Sequence, residues 1–456
     1  MNANLKKKPT ALAASQREII RGHTKHLPRS VQWRKGAFLS LLALVSVTTF
    51  IMQLPSTARA DSISQSDLLR RIEALEKQVQ NADQIRKELE DLKLEMKKAN
   101  ETPPPTNPPV ASSNQLIKFH VNGSVVADFV YSDAPGTHSS FGGGKFLPIF
   151  LAQYNDWLLF EGHVELTSTS DGGTDTSLEY AQLDFLVNDY LTIVAGKFLT
   201  PVGQFQQAIH PPWINKLPDR PAGFVEDGGD EPLSDVGIMA RGGFPIGSLK
   251  GTYALYVGNG PQMGADGPML KGFGSDDNSD KAVGGRISIF PFPHLEIGLS
   301  GMRAKILGMA AITGSVTQAQ YQMVGADFAY TKGYWDVRGE WIHSRLGAIS
   351  SALDPTDPTP TNIPATTWNN WYVQAAYRMA GLTDNPILGK LEPVIQYGQY
   401  DVSGFAPFTS SSENRWSAGL DYWFAPSVVA KVAYENRDHP HGTNDNLVHA
   451  QVAFGF

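Results

Sequence analysis

Apolar and polar residues alternate along the last eleven positions of the chain, Asn446 to Phe456. Val448, Ala450, Val452, Phe454 and Phe456 fall on one face of an extended strand, and His449, Gln451 and Gly455 on the other. The pattern recurs upstream. Phe119, Val121, Val125, Ala127 and Phe129 oppose Lys118, His120, Asn122, Ser124 and Asp128. Trp371, Val373, Ala375 and Tyr377 oppose Gln374 and Arg378; Trp416, Ala418, Leu420, Tyr422 and Phe424 oppose Arg415, Ser417 and Asp421; Val428, Ala430, Val432 and Tyr434 oppose Lys431 and Glu435.

From Leu116 onward such segments are joined by short and long connections in turn. The short joins are Tyr154–Asp156, Asn188–Tyr190, Phe244–Ser248, Pro291–Pro293, Thr331–Gly333, Gly381–Gly389 and Ala425–Ser427, and seven of them imply sixteen strands. Long connections rich in Gly, Pro, Ser, Thr, Asn and Asp fall near 132–143, 169–176, 199–233, 259–280, 305–319, 345–367, 401–412 and 437–445. This rhythm predicts an all-β transmembrane antiparallel barrel of about sixteen strands over 115–456, with apolar side chains outward and polar ones in the lumen. The segment Lys145–Gln153 is the weakest strand, because it carries Pro148. Two soluble β-sandwich domains produce the same alternation, with the polar face in water instead. Trp and Tyr near the strand ends suit the girdles of a membrane barrel.

The first 60 residues hold ten Lys or Arg and one acid. An apolar run, Ala37 to Leu54, follows Arg34 and Lys35 and leads to Ala58-Arg-Ala60, which reads as an export signal over 1–60 cleaved after Ala60; the alternative is an uncleaved anchor. Without it the chain carries 28 basic and 44 acidic residues, which argues against a nucleic-acid partner. Over 61–100, Leu68, Ile72, Leu75, Val79, Ala82, Ile85, Leu89, Leu92 and Met96 form a heptad seam with one extra step of three at Ala82. A periplasmic coiled coil roughly 50 Å long is expected there, against a solvated single helix. The Pro-rich stretch 101–114 reads as a stiff linker.

Chemistry concentrates in the third long loop, Leu199 to Leu233, whose prolines, aromatics and mixed charges suit a segment folded into the pore. Its candidate constriction residues are His210, Lys216, Asp219 and Arg220; an outward cap, a lipopolysaccharide contact or a trimer latch are the other uses of such a loop. The strand faces place Lys118, Arg241, Lys250, Arg286, Arg338, Arg378, Arg415 and Lys431 in the lumen beside comparable acids, where charges set selectivity or simply pair across strands. The sequence holds no nucleophile elbow, phosphate loop, zinc-protease motif or dinucleotide fingerprint. His163 flanked by Glu161 and Glu165 lacks a nucleophilic Ser, and His439 with His441 lacks a third metal ligand. Neither an enzyme, a cofactor nor a bound metal is expected.

The order of export signal, coiled coil, Pro-rich spacer and barrel, with Gly196–Gly203 and His210–Pro218 leading from a strand into the third loop, resembles the DcaP-like trimeric porins and, more loosely, the phosphate-selective porins. The resemblance implies passive diffusion of small hydrophilic solutes, organic anions among them, through a homotrimer in the outer membrane of a Gram-negative bacterium. It also implies that Phe456 is the signal read by the barrel assembly machinery, and that lipid and lipopolysaccharide surround the wall. No run of Lys or Arg marks a phosphate ladder, and the barrel segment has 20 basic against 34 acidic residues. The competing expectation is an envelope tether whose coiled coil grips peptidoglycan or a periplasmic partner.

Overall fold

A computed structural model describes residues 117–142, 144–224, 233–247, 249–309, 317–353, 357 and 359–456. The export signal, coiled coil and linker expected before residue 115 lie outside the described residues. The chain divides into Met1–Ala111 and Ser112–Phe456, and every described residue falls in the second unit.

Sixteen strands build this unit: β1 Ile117–Ser132, β2 Lys145–Tyr154, β3 Leu158–Ser168, β4 Thr174–Asn188, β5 Leu191–Leu199, β6 Ser234–Ile246, β7 Leu249–Gly258 and β8 Ala282–Phe292, then β9 Leu295–Leu307, β10 Gln318–Lys332, β11 Trp335–Leu346, β12 Thr366–Tyr377, β13 Leu391–Ser403, β14 Glu413–Ala425, β15 Val428–Asp438 and β16 Asp445–Gly455. Each pairs antiparallel with its sequence neighbours, and β1 pairs with β16 from Ser124–Gly455 to Ser132–Leu447. The sheet is therefore a closed barrel, which leaves no unpaired edge to expose to lipid. Seven connections lie at one end, six of them two or three residues long and the seventh, 378–390, longer, and eight loops lie at the other. The tight ones use backbone that hairpins demand: Gly333 has φ +60 in the join of β10 to β11, and Asn155 has φ +49 in the join of β2 to β3.

The seam closes on the last residue. Phe456 exchanges two backbone hydrogen bonds with Gly123, at 3.0 and 3.1 Å, and its ring packs 6.2 Å from that of Phe146. Gly123 is required there, since a Cβ would sit 2.4 Å from the Leu147 carbonyl oxygen and 2.9 Å from the Phe456 ring. Pro148 is tolerated within β2 because the ladder to β3 breaks between Phe146 and Ile149.

Burial decides between barrel and sandwich. On β14 to β16, Trp416, Leu420, Phe424, Val432, Tyr434, Val452, Phe454 and Phe456 are exposed, whereas Arg415, Ser417, Asp421, Lys431, Glu435, His449 and Gln451 are buried. A soluble sandwich has the opposite arrangement; a membrane barrel has this one.

One expectation is corrected. The lumen is not polar throughout, because Met302, Ala304 and Ile306 of β9, Ala319, Tyr321 and Met323 of β10 and Ile342 and Leu346 of β11 point inward as part of one apolar cluster. The alternate positions, including Arg303, Lys305 and Arg345, point outward. The reversal occurs where the loops fold inward and need an apolar wall to pack against, as the third-loop contacts show.

The candidate pore and its lining

The third loop leaves β5 at Leu199 and turns at Gly203, whose φ of +66 and close approach to the Glu340 carboxylate admit no larger residue. The next two amides, of Gln204 and Phe205, donate to Glu340 Oε2 at 2.9 Å each, and Gln204 Nε2 donates to Asp327 Oδ1 at 3.1 Å. These bonds carry the loop across the barrel, toward β10 and β11. A five-residue π-helix, Phe205–Ile209, follows.

Its apolar side chains then divide the lumen. Phe205, Ile209, Ala222 and Phe224 join the large cluster lined by β5 to β13, with Phe224 edge-on to Tyr372 at 5.1 Å. Leu217 is buried between Ala376, Val394 and Ala433. Burying Phe205, Ile209, Leu217 and Phe224 contributes about 8 kcal/mol as an upper bound.

The loop's polar side is fastened to β13 through β16. Arg437 Nη2 meets Asp219 Oδ2 at 2.6 Å, and His449 Nδ1 lies 3.1 Å from Asp219 Oδ1. Arg415 donates to the Arg220 carbonyl at 2.9 Å, and Lys431 donates to the carbonyls of Pro212 and Asn215. Lys216 is held elsewhere, on Glu392 at 2.9 Å and over the Trp423 ring. Trp213 packs against Gly455, where a Cβ would come within 3.0 Å of the indole.

Between this polar side and the wall lies a cavity of about 380 Å³. His210, Asp219 and Arg220 line it from the loop; Lys145, His163, Glu165, Arg415, Arg437 and His449 are among those lining it from the strands. His163 Nδ1, His210 Nε2 and Gln451 Oε1 are buried among the lining residues without a hydrogen-bond partner in the chain, so this wall keeps bonding capacity for water and solute. Burial, with the Arg220 charge beside it, pushes the His210 imidazole down to about 3, so it is neutral at neutral pH. Burial pushes the Asp219 carboxyl up, but the hydrogen bond and charge of His449, with Arg415 and Arg437, outweigh it and hold the group well below the usual carboxylate range.

Of the four constriction candidates, three therefore share one cavity and Lys216 stands apart on the Glu392–Trp423 group. The eight strand cations scatter. Arg241 pairs with Asp184, Arg286 with Asp327 and Glu296, and Arg338 with Asp336; Arg378 lies 3.4 Å from Glu392. Arg415 bridges Glu413 and Glu435, Lys431 is buried under the loop, and Lys118 and Lys250 are exposed at the short-turn end. Arg437 was not anticipated, because it was assigned to the last loop. Continuing the inward register of Lys431 and Glu435 by two residues finds it. Among the described residues no group of His, Asp and Glu is arranged to hold a metal ion.

Residues 252–454 match the family model described as phosphate-selective porin O and P, and they do so within a closed barrel. This stretch of the chain is similar to that family. The anion-selective porin of Comamonas acidovorans is similar in fold, with 11% identity over 75% of this chain and 100% of that one and a TM-score of 0.51. Other similar structures are the outer-membrane channel DcaP of Acinetobacter baumannii (12% identity, 76% of this chain and 99% of that one, TM-score 0.48) and a loop-deleted OmpT of Vibrio cholerae (13%, 75% and 100%, 0.47). No curated protein matches the chain. A closed barrel with this outward apolar face is built to cross a bilayer with strands.

Proposed function

We propose that this porin passes small hydrophilic solutes by passive diffusion, organic anions among them, and that its narrowest passage runs between the third loop and the wall of β1–β4 and β14–β16. The carrying observation is the cavity of about 380 Å³ lined by charged and polar groups on that side of the loop. Arg415 and Arg437 approach from the wall and Arg220 from the loop, while Asp128, Glu165, Glu179 and Asp219 share the same lining. Mixed signs keep the passage hydrated, with Arg415 and Arg437 fixed on Glu413, Glu435 and Asp219 as positive charge held in the wall. Channel-sized steps in planar bilayers support the porin; silence from folded protein favours the tether. Replacing Arg220 by Glu should then move the reversal potential in a salt gradient toward cations, and an unchanged potential would put Arg220 outside the path.

A homotrimer is the assembly we infer. On β16, β1 and β2 the outward face stays apolar to the loop end, through Val125, Ala127, Phe129, Val448 and Ala450, with Phe141 83% exposed above it. Such a continuous apolar face suits a second copy. Cross-linking through Phe129→Cys in intact membranes should trap oligomers, and only monomers would contradict this face. We also infer that Phe456 is read by the assembly machinery: its deletion should deplete the outer membrane of a protein that still refolds in detergent. Normal outer-membrane levels of the deletion would count against that role.

A further inference from the structure

Donors and acceptors are unequally spent around the cavity beside the third loop. Each basic side chain that the strands send into it is already engaged by a carboxylate of the chain. Lys145 donates to Glu165 at 2.9 Å, Arg415 to Glu413 through Nε and Nη2, and Arg437 to Glu435 and Asp219. Nη1 of Arg415 goes to the Arg220 carbonyl. A solute that only accepts hydrogen bonds has to displace these partners.

The acceptors are in a different position. His210 Nδ1 lies on the Gln206 carbonyl oxygen, which only accepts, so Nδ1 carries the proton and Nε2 of the neutral ring keeps a lone pair. That Nε2 has no partner in the chain, and neither has the amide oxygen of Gln451, a side chain only 6% exposed. The carboxylates of Asp128, Glu165, Glu179 and Asp219 line the same cavity, and ionised carboxylates only accept. Glu413 and Glu435 stand on Arg415 behind them. Carboxylates therefore outnumber Lys145, Arg220, Arg415 and Arg437 here, even with His449 counted as charged. What the lining lacks is donors.

Among the described residues the lining holds no Phe, Tyr or Trp, so selection falls to charge and hydrogen bonds rather than to ring stacking. Its volume of about 380 Å³ is at the small end for small-molecule sites, which run to roughly 1,000 Å³.

We propose that the passage favours solutes carrying a primary ammonium beside a carboxylate, amino acids in chemical type. The ammonium supplies N–H donors to His210 Nε2, Gln451 Oε1 and the carboxylates of Asp128 and Glu165, and the solute's own carboxylate faces Arg220. Charge-assisted bonds of this kind form without opening an ion pair of the wall. The inference rests on the diffusion path proposed above and names the solute class for it.

The test compares valine with glycine betaine, two isomers that are both zwitterions; valine has ammonium N–H donors and glycine betaine has none. Proteoliposomes of the refolded, heat-modifiable full chain take up each labelled solute at the same low concentration, where flux follows occupancy of the passage, and protein-free vesicles give the background. Valine should enter about fivefold faster, the factor that one net hydrogen bond supplies. In the E165Q/Q451M double variant the ratio should fall toward unity, since one acceptor is lost and one carboxylate is neutralised. Equal entry of the two isomers through the wild type would overturn the proposal, even if the double variant failed to fold. A folded double variant that kept the wild-type preference would overturn it as well. Exclusion of both isomers by folded wild type would refute the diffusion path itself, a result distinct from equal entry.

Discussion

The two sides of the lumen are built from the same alternating strands and end up with opposite chemistry. Toward β5–β13 the interior is a packed apolar core in which Phe198, Tyr256, Tyr321, Tyr372 and Tyr400 meet the loop residues Phe205 and Phe224. Toward β14–β4 it is lined by Lys145, Glu165, Arg415, Arg437 and His449 around open space. The third loop makes the difference. It is a wedge with one apolar and one charged side, so that in the proposed function anchoring and solute contact fall to opposite faces of one segment. The open cavity lies toward one wall.

The largest effect should come from breaking the dry side. Replacing both Phe205 and Phe224 by Ala costs about 3–5 kcal/mol for each buried ring, enough to release the loop, and single-channel conductance should rise severalfold while the barrel stays heat-modifiable. An unchanged conductance would mean that the charged contacts alone hold the loop. Next is Glu340→Ala, which strands the amides of Gln204 and Phe205 and costs about 1–3 kcal/mol for each donor left unpaired. Its expected signature is a noisy channel with frequent wider substates.

Acid should act on the wet side. Burial keeps His210 neutral down to about 3, whereas an exposed His takes up its proton near 6.5. Below about 6.5 the released loop binds more protons than the docked one, so docking weakens as pH falls through that window. Asp219 is depressed in the docked state, and its contribution is present above the ordinary carboxylate range and lost only in stronger acid. Substates in wild-type channels should therefore multiply between about pH 6 and pH 4, and His210→Gln should remove that dependence. Identical pH profiles for the two proteins would refute the role of His210. The smallest effect is expected at Lys216, which lies four residues from Arg220 but outside the cavity. Lys216→Gln should leave the reversal potential where it was, in contrast to Arg220→Glu, and equal shifts would place both in the solute path.

Much of this architecture was legible because lipid is an unforgiving solvent. The outward positions in the middle of β14–β16 must be apolar, which imposes period two on the sequence, and the Gly- and Pro-rich breaks show where strands stop. The wet wall was legible for the same reason, since Arg415, Lys431 and Glu435 alternate with Trp416, Val432 and Tyr434. The dry wall was not. Met302, Ala304 and Ile306 alternate with Arg303 and Lys305, and period two does not say which set faces inward; a folded-in loop supplies the answer, and its contacts are not local. The split of Lys216 from Arg220 was hidden too, because Pro218 and the buried Leu217 turn the loop between them. Arg437 and Glu413 escaped notice at strand ends, where loop composition obscured two further residues of register.

Because the chain has no cysteine, accessibility can be probed one position at a time, and this is the most direct test of an off-centre aqueous path. Gln451→Cys places a thiol on the wet wall and Ala304→Cys places one in the dry core. A charged, membrane-impermeant thiol reagent added to open channels should cut the current through Gln451→Cys within a single exposure and leave Ala304→Cys unchanged. Rapid block of Ala304→Cys, with Gln451→Cys unaffected, would put the water on the other side of the loop and contradict the account.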